Sequence, residues 1–230
     1  MLVAVLPVLA AAVACTLLFL GDQSSVVQYA VVATLSYLLG SVPWGYMLLR
    51  LRTGEDVRNY GSGRTGMTNV LRTGGGKIAA MTMGLDVAKA VLAVLIARLV
   101  IGTTEADVTA GLLVLVGHNW PVFLQFRGGR GILTGLGGLS LMAPIPAVVA
   151  ALTFLIITLI SRYVSLGSVV GVIFGVLSVL GLALVGVYSG IYALYAFVGG
   201  AIIIWQHRDN IQRIHQGDER RLGTPAEKTG

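Results

Sequence analysis

Charge is what this sequence has least of. Only 11% of its 230 residues are Asp, Glu, Lys or Arg, against roughly a quarter in a typical soluble domain. That excludes a disordered chain, which is polar and rich in charge. A soluble globule is excluded as well. Hydrophobic residues make up 56% of the chain, and a domain of this size has too little interior to hide them. The mean hydropathy is +0.85. What remains is an integral membrane protein with several spans. Cysteine is almost missing: Cys15 stands alone, so no disulfide can form within the chain. Cys15 follows Ala12-Val13-Ala14 inside an apolar run, which favours a buried thiol over a lipidation site. No Lys or Arg precedes it, whereas a cleaved signal peptide starts with a basic segment. No fixed-period repeat and no G-x-x-x-x-G-K-[S/T] string occurs.

What is abundant is apolar sequence. Eight stretches are predicted as spans: residues 2–20, 29–49, 78–101, 108–124, 132–142, 147–160, 166–186 and 190–206. At about 1.5 Å per residue, most approach the ~30 Å of bilayer hydrocarbon. Pro144 and Pro146 separate the two short stretches rather than leaving one long helix over 132–160. Charge supports that division. With eight spans, the segments 50–77, 127–131, 161–165 and 207–230 share one side and hold 14 of the 16 Lys and Arg residues. The opposite loops hold no basic residue and carry Asp22, Glu105 and Asp107. The positive-inside rule then places both termini in the cytoplasm. Glycine is also plentiful, with 31 residues. Gly171, Gly175, Gly181, Gly186, Gly190, Gly199 and Gly200 lie in or beside the last two spans, where small residues let helices approach. The tail over 216–230 reads as polar and loose.

The distinctive polar sequence falls on the cytoplasmic side, in four segments. In the first, Gly61, Gly63 and Gly66 permit positive φ. Ser62, Thr65, Thr68 and Asn69 offer short polar groups, and Arg58, Arg64 and Arg72 offer forked cations. This suits a phosphate, or equally a basic loop on anionic lipid heads. In the second, Gly117-His118-Asn119-Trp120-Pro121 leads to Gly128-Gly129-Arg130-Gly131 before a helix. That is an anion site by geometry, or a tight interhelical turn with a snorkelling arginine. His118 reads first as a packing histidine. In the third, Ser165 and Ser168 open a helix, either as caps or as ligands. In the fourth, a helix running past the last span would place His207 and Asn210 on one face. Arg208 and Arg213 read there as membrane-surface anchors. Within the spans, Asp86 and Lys89 at i, i+3 form an ion pair, because intramembrane charges are normally paired. Arg98 lies near the outer end of the same helix and can snorkel.

Taken in this order, the segments resemble the bacterial acyl-phosphate:glycerol-3-phosphate acyltransferases, the PlsY family, over about residues 36–222. The motifs that carry the resemblance are Tyr37 to Tyr46, Gly61-Ser62-Gly63 with Thr68-Asn69-Val70-Leu71-Arg72, Leu85-Asp86-Val87-Ala88-Lys89, Gly117-His118 with Pro121 and the 128–131 turn, Arg162-Tyr163-Val164-Ser165, and His207 to Ile211. The resemblance implies an all-α polytopic membrane protein with a seven-helix core. Residues 1–28 would add an N-terminal transmembrane helix and loop, 29–215 would form the acyltransferase domain, and 216–230 a polar cytoplasmic tail. It implies transfer of a fatty acyl group from acyl phosphate to the 1-hydroxyl of sn-glycerol 3-phosphate. The products would be lysophosphatidic acid and phosphate, made for phospholipid synthesis at the cytoplasmic face of the bacterial inner membrane.

By the same resemblance no cofactor, metal or nucleic acid takes part, and an enzyme that makes acyl phosphate would be a functional partner. Ser62 and Arg72 match the essential residues of the family's first motif. Gly128, Gly129 and Gly131 match its glycerol-phosphate loop. His207 and Asn210 match its active histidine and asparagine, and Glu219 its structural glutamate. The family usually has Asn where this chain has Arg64, Ala at Met67 and Lys at Arg130. The expected division gives glycerol phosphate to Arg72, Arg130 and the 128–131 turn, oriented by Ser62 and Asn210. Acyl phosphate would go to Gly61, Gly63, Thr68 and Asn69 in the 61–69 region, with Ser165 and Ser168. Asp86 and Lys89 would support the site. A transporter is the competing class, but the polar groups crowd one face and no repeat appears. The H-x-x-x-x-D string of acyl-CoA-using acyltransferases is absent: Phe123, Gln212 and Arg220 stand five positions after the three histidines.

Overall fold

A computed structural model describes residues 11–13 and 25–228. The span expected over 2–20, with Cys15, lies outside them except for residues 11–13. Among the described residues the chain is helical, apart from one isolated bridge between Tyr60 and Lys228. Ten α-helices follow in order. They are α1 (Ser25–Ser41), α2 (Trp44–Thr53), α3 (Met67–Gly74), α4 (Gly76–Val100), α5 (Thr104–Asn119), α6 (Ile132–Met142), α7 (Pro144–Ser161), α8 (Val164–Leu184), α9 (Ile191–Gln206) and α10 (Arg208–Gln216). Among the described residues four segments are long and apolar enough to cross a membrane: Ser25–Thr53, Thr104–Leu124, Pro144–Ser161 and Val164–Leu184.

The apolar stretch 29–49 is interrupted. Pro43 has no N–H to continue the ladder, so α1 ends at Ser41 and α2 starts at Trp44. The expected break after 142 is present. Ala143 is extended, and Pro144 takes the first turn of α7, where a missing N–H is harmless. Thr103 caps α5 by accepting from the Ala106 N–H at 3.3 Å.

The helices α4 and α5 form the centre. Helix α4 packs on α1, α5 and α6, while α7 packs on α8 at the periphery. Close backbone approach explains much of the glycine. A β-carbon at Gly117 would meet the backbone of Tyr37 and Gly40, and one at Gly171 would lie 2.9 Å from the Ala150 carbonyl oxygen. Gly181, Gly186 and Gly190 have open space instead, so packing does not account for them. At the C-terminal end of α4, Arg98 does not simply snorkel. Its Nε donates to Asp107 at 2.9 Å and its Nη2 to the Leu141 carbonyl at 2.7 Å. Tyr192 also donates to Asp107, so one carboxylate ties α4, α5 and α9 together.

Candidate active site

Helix breaking builds the floor of the site. The carbonyls at the end of α1 have no intrahelical donor, and Lys89 supplies one. Its buried ammonium donates to Gly40 O at 2.9 Å and Val42 O at 3.1 Å. It also pairs with Asp86 at 2.9 Å. His118 Nδ1 stands 2.9 Å from the same ammonium and 3.5 Å from Asp86 Oδ1, which ties the ring to the ion pair. The i, i+3 pair is therefore present, and it does more than neutralise itself. It caps α1 and fixes His118.

Asn69, on α3, organises the first loop. Its amide nitrogen donates to the carbonyls of Val57, Tyr60 and Arg64 at 3.0, 2.9 and 2.9 Å, and its oxygen accepts from the Ser62 N–H at 3.3 Å. Gly61 and Gly63 both have positive φ, which lets the chain wrap around that amide. Their N–H groups are committed to Glu227 O and Tyr60 O, each at 3.0 Å. Neither glycine lines the cavity beneath; Ser62, Arg64, Thr68, Asn69 and Arg72 do.

The glycine turn before α6 is also mostly a packing device. The Gly128 and Gly129 N–H groups donate to the carbonyls of Asn119 and His118, at 3.3 and 3.1 Å, and so satisfy the end of α5. A β-carbon on Gly129 would strike the His118 ring. Arg130 and Gly131 line the cavity, whereas Gly128 and Gly129 do not. Arg130 Nε is buried without a partner. Burial first, and the nearby charge of Arg64 second, pull its guanidinium down to about 10.

The fourth side comes from the chain past α9. The helix does not run on. It turns at His207 (φ −98°) and restarts as α10, yet His207 and Asn210 are both buried on the cavity. His207 Nδ1 donates to Ile203 O at 2.8 Å, which leaves Nε2 unprotonated. Burial, then the charge of Arg130, push the imidazole down to about 4. Glu219 gathers the rest. Its Oε1 accepts from Ser165 at 2.9 Å and Asn210 at 2.7 Å, and its Oε2 from Arg213 at 2.9 Å. Ser165 therefore does not cap α8, and Arg213 is not merely an anchor. Arg208 lies over the Trp205 ring at 4.8 Å, as a surface anchor does. Ser168 donates to Val164 O at 2.9 Å and still borders the cavity.

The tail is not loose over the described residues. Leu222 N donates to Arg162 O at 2.7 Å, Ala226 N to Arg72 O at 3.2 Å, and Arg72 Nη2 to Arg220 O at 3.3 Å. These contacts use backbone groups, so polar composition gave no sign of them.

The resulting cavity measures about 140 Å³. Beside it lies an apolar cleft of about 110 Å³ between α6, α7, α8 and α9. The two share Ile132, Leu133, Phe154 and Ser168. Such a site takes a molecule with an anionic head and an apolar tail. No group of three or more His, Cys, Asp or Glu among the described residues is placed to hold a metal ion. The residue types offered Arg64 as one of three phosphate-binding cations, but the expected division of substrates left it out, and His118 and Phe154 were not assigned to the site. The sequence signal for Arg64 was its place between Gly63 and Thr65 in the polar loop.

Comparison with known proteins bears on this geometry. A family model described as glycerol-3-phosphate acyltransferase matches residues 30–217. Glycerol-3-phosphate acyltransferase 3 of Dehalococcoides mccartyi (strain ATCC BAA-2266 / KCTC 15142 / 195) is 42% identical over 209 residues, covering 86% of this chain and 97% of the relative. Glycerol-3-phosphate acyltransferase of Zymomonas mobilis subsp. mobilis is 43% identical over 201 residues, covering 84% and 94%. The crystal structure of PlsY (YgiH), an integral membrane glycerol 3-phosphate acyltransferase, in its glycerol 3-phosphate form, matches with a TM-score of 0.78 at 38% identity. It covers 85% of this chain and 96% of that one. The lysophosphatidic acid form matches with a TM-score of 0.75.

Proposed function

The chain belongs to the glycerol-3-phosphate acyltransferase family, and from that membership we propose that its acyl donor is a fatty acyl phosphate and its acceptor the 1-hydroxyl of sn-glycerol 3-phosphate. The observation that carries this reading is the charge balance of the cavity. Arg64, Arg72 and Arg130 line it, and none makes an ion pair within 4 Å among the described residues. The two carboxylates that line it, Asp86 and Glu219, are already matched by Lys89 and Arg213. Surplus guanidinium without carboxylate calls for phosphate, and both proposed substrates bring one. The adjoining apolar cleft suits the acyl chain.

The chemistry follows from an activated donor. The glycerol hydroxyl oxygen bonds to the acyl carbon, the acyl–phosphate C–O bond breaks, and phosphate departs with a net proton. Two proton acceptors are available, His207 Nε2 and the departing phosphate. Arg72, Arg130 and Gly131 hold glycerol phosphate, with Ser62 and Asn210 orienting it. Thr68, Ser168 and the loop around Asn69 hold the donor. Positioning and fixed positive charge supply most of the acceleration. No base hydrogen-bonds the Ser62 hydroxyl among the described residues, so a covalent acyl-serine has no activating group. The site then works at the cytoplasmic face of the inner membrane, fed by an enzyme that makes acyl phosphate.

The test is one assay of purified protein with labelled glycerol 3-phosphate and either palmitoyl phosphate or palmitoyl-CoA. Labelled lysophosphatidate from the acyl phosphate alone is expected. Product from palmitoyl-CoA alone would overturn the donor assignment.

A further inference from the structure

Glycerol phosphate, gripped by Arg72 and Arg130, leaves the donor phosphate with hydroxyls and amides but no cation of its own. Among the described residues that line the cavity, only Arg64 remains to supply one. Its side chain makes no hydrogen bond or ion pair with another of the described residues. Asp209, whose charge acts on it, is exposed and stands 3.8 Å from Arg208. Its backbone is pinned, because its carbonyl accepts from Asn69 at 2.9 Å. A guanidinium is thus held at the cavity on a fixed loop with nothing to bind. Arg130 stands close enough for the two charges to repel, and its Nε is buried and unpartnered.

We infer that Arg64 is a phosphate ligand: it seats the phosphate of the acyl donor, and that of the departing inorganic phosphate, with Arg130 shared between this seat and glycerol phosphate. The inference rests on the donor reading above for the identity of the anion. Placement supports the division. The apolar cleft meets the polar cavity at Ile132 and Leu133, the first residues of α6, two and three positions after Arg130, and across from them at Phe154 and Ser168. An acyl chain in the cleft therefore delivers its phosphate next to Arg130, where Arg64 also acts. Arg72 lies towards the tail, with Nη2 on Arg220 O. A dianion between Arg64 and Arg130 removes their repulsion. It also gives each fork the paired acceptors its geometry fits.

The test uses the full chain purified in detergent, as wild type, R64N and R64K. Inorganic phosphate is titrated by ³¹P NMR, and KM is measured separately for palmitoyl phosphate and glycerol 3-phosphate. For R64N the expectation is a rise of about tenfold in phosphate Kd and in KM for the acyl phosphate, the size expected from losing a hydrogen-bonded charge. KM for glycerol 3-phosphate should stay within about twofold by the same comparison. R64K, which keeps the charge without the fork, should fall between. An unchanged phosphate Kd in R64N would overturn the inference, and so would a rise confined to KM for glycerol 3-phosphate. A wild type that binds phosphate through Arg64 but turns over no acyl phosphate would instead overturn the donor reading. Should R64N fail to fold, R64K gives the same ordering with a charge-conserving change.

Discussion

His207 shows how much one buried side chain depends on its surroundings. Its Nδ1–H is committed to the Ile203 carbonyl, and burial and the charge of Arg130 disfavour a second proton. It is therefore neutral at pH 7 in the free protein, with Nε2 able to accept a proton. Histidine-selective NMR, with H207Q to identify the signal, should find it titrating near the value of about 4 rather than near 6.5. A midpoint at 6.5 or above would remove it as an acceptor poised in the free enzyme. The linkage has a definite sign. Between the two values the unfolded chain binds a proton that the native one does not, so stability is full above about 6.5 and falls as the pH drops through about 4. At this scale the sequence was informative about identity and poor about partners. His207 and Asn210 stood out because polar residues follow an apolar span directly. The role of Glu219 as common acceptor for Ser165, Asn210 and Arg213 was legible only as a family match, since it joins Ser165 on α8 to Asn210 and Arg213 on α10, and nothing local in the sequence brings those two helices together.

Among elements, contact between helices is decided by atoms that are missing. Helices α1 and α5 touch through Gly40 and Gly117. A β-carbon at Gly117 would lie 2.9 Å from the Ser41 nitrogen and closer still to the Tyr37 carbonyl. Neither is the flexible end of a side chain, so the helices would have to separate. Gly117→Ala should destabilise the protein by about 1–3 kcal/mol, the usual range for overpacking. Gly181→Ala, in α8 with open space around it, should be neutral or slightly stabilising. Thermal unfolding of both variants in one detergent checks the pair. Equal midpoints would mean that the α1–α5 contact is not held this closely. The break between α6 and α7 was readable because proline acts locally. Pro43 gave the same signal inside 29–49, yet hydropathy alone made one span of it. The docking of the tail was illegible for another reason: its partners are backbone carbonyls of Arg72 and Arg162, which carry no residue signature.

For the whole molecule, scarce charge becomes the main constraint. The cations that line the cavity, and the tail that closes beside Arg72, belong to the segments that hold 14 of the 16 basic residues. Those segments and the connections after α4 and α8 lie at opposite ends of the helices. Basic residues are retained on the cytoplasmic side during insertion, so on the proposed function orientation and substrate binding draw on the same arginines. The topology then follows. In a Cys15→Ala background, single cysteines at Thr53 and Gln216 should react with an impermeant maleimide only after the membrane is opened. A cysteine at Ser189, in the turn after α8, should react in intact cells. Thr53 ends α2 and Gln216 ends α10, so the pair samples two separate basic segments. The reverse labelling pattern would place the site outside the cell. The arginines would then have to be explained by substrate binding alone.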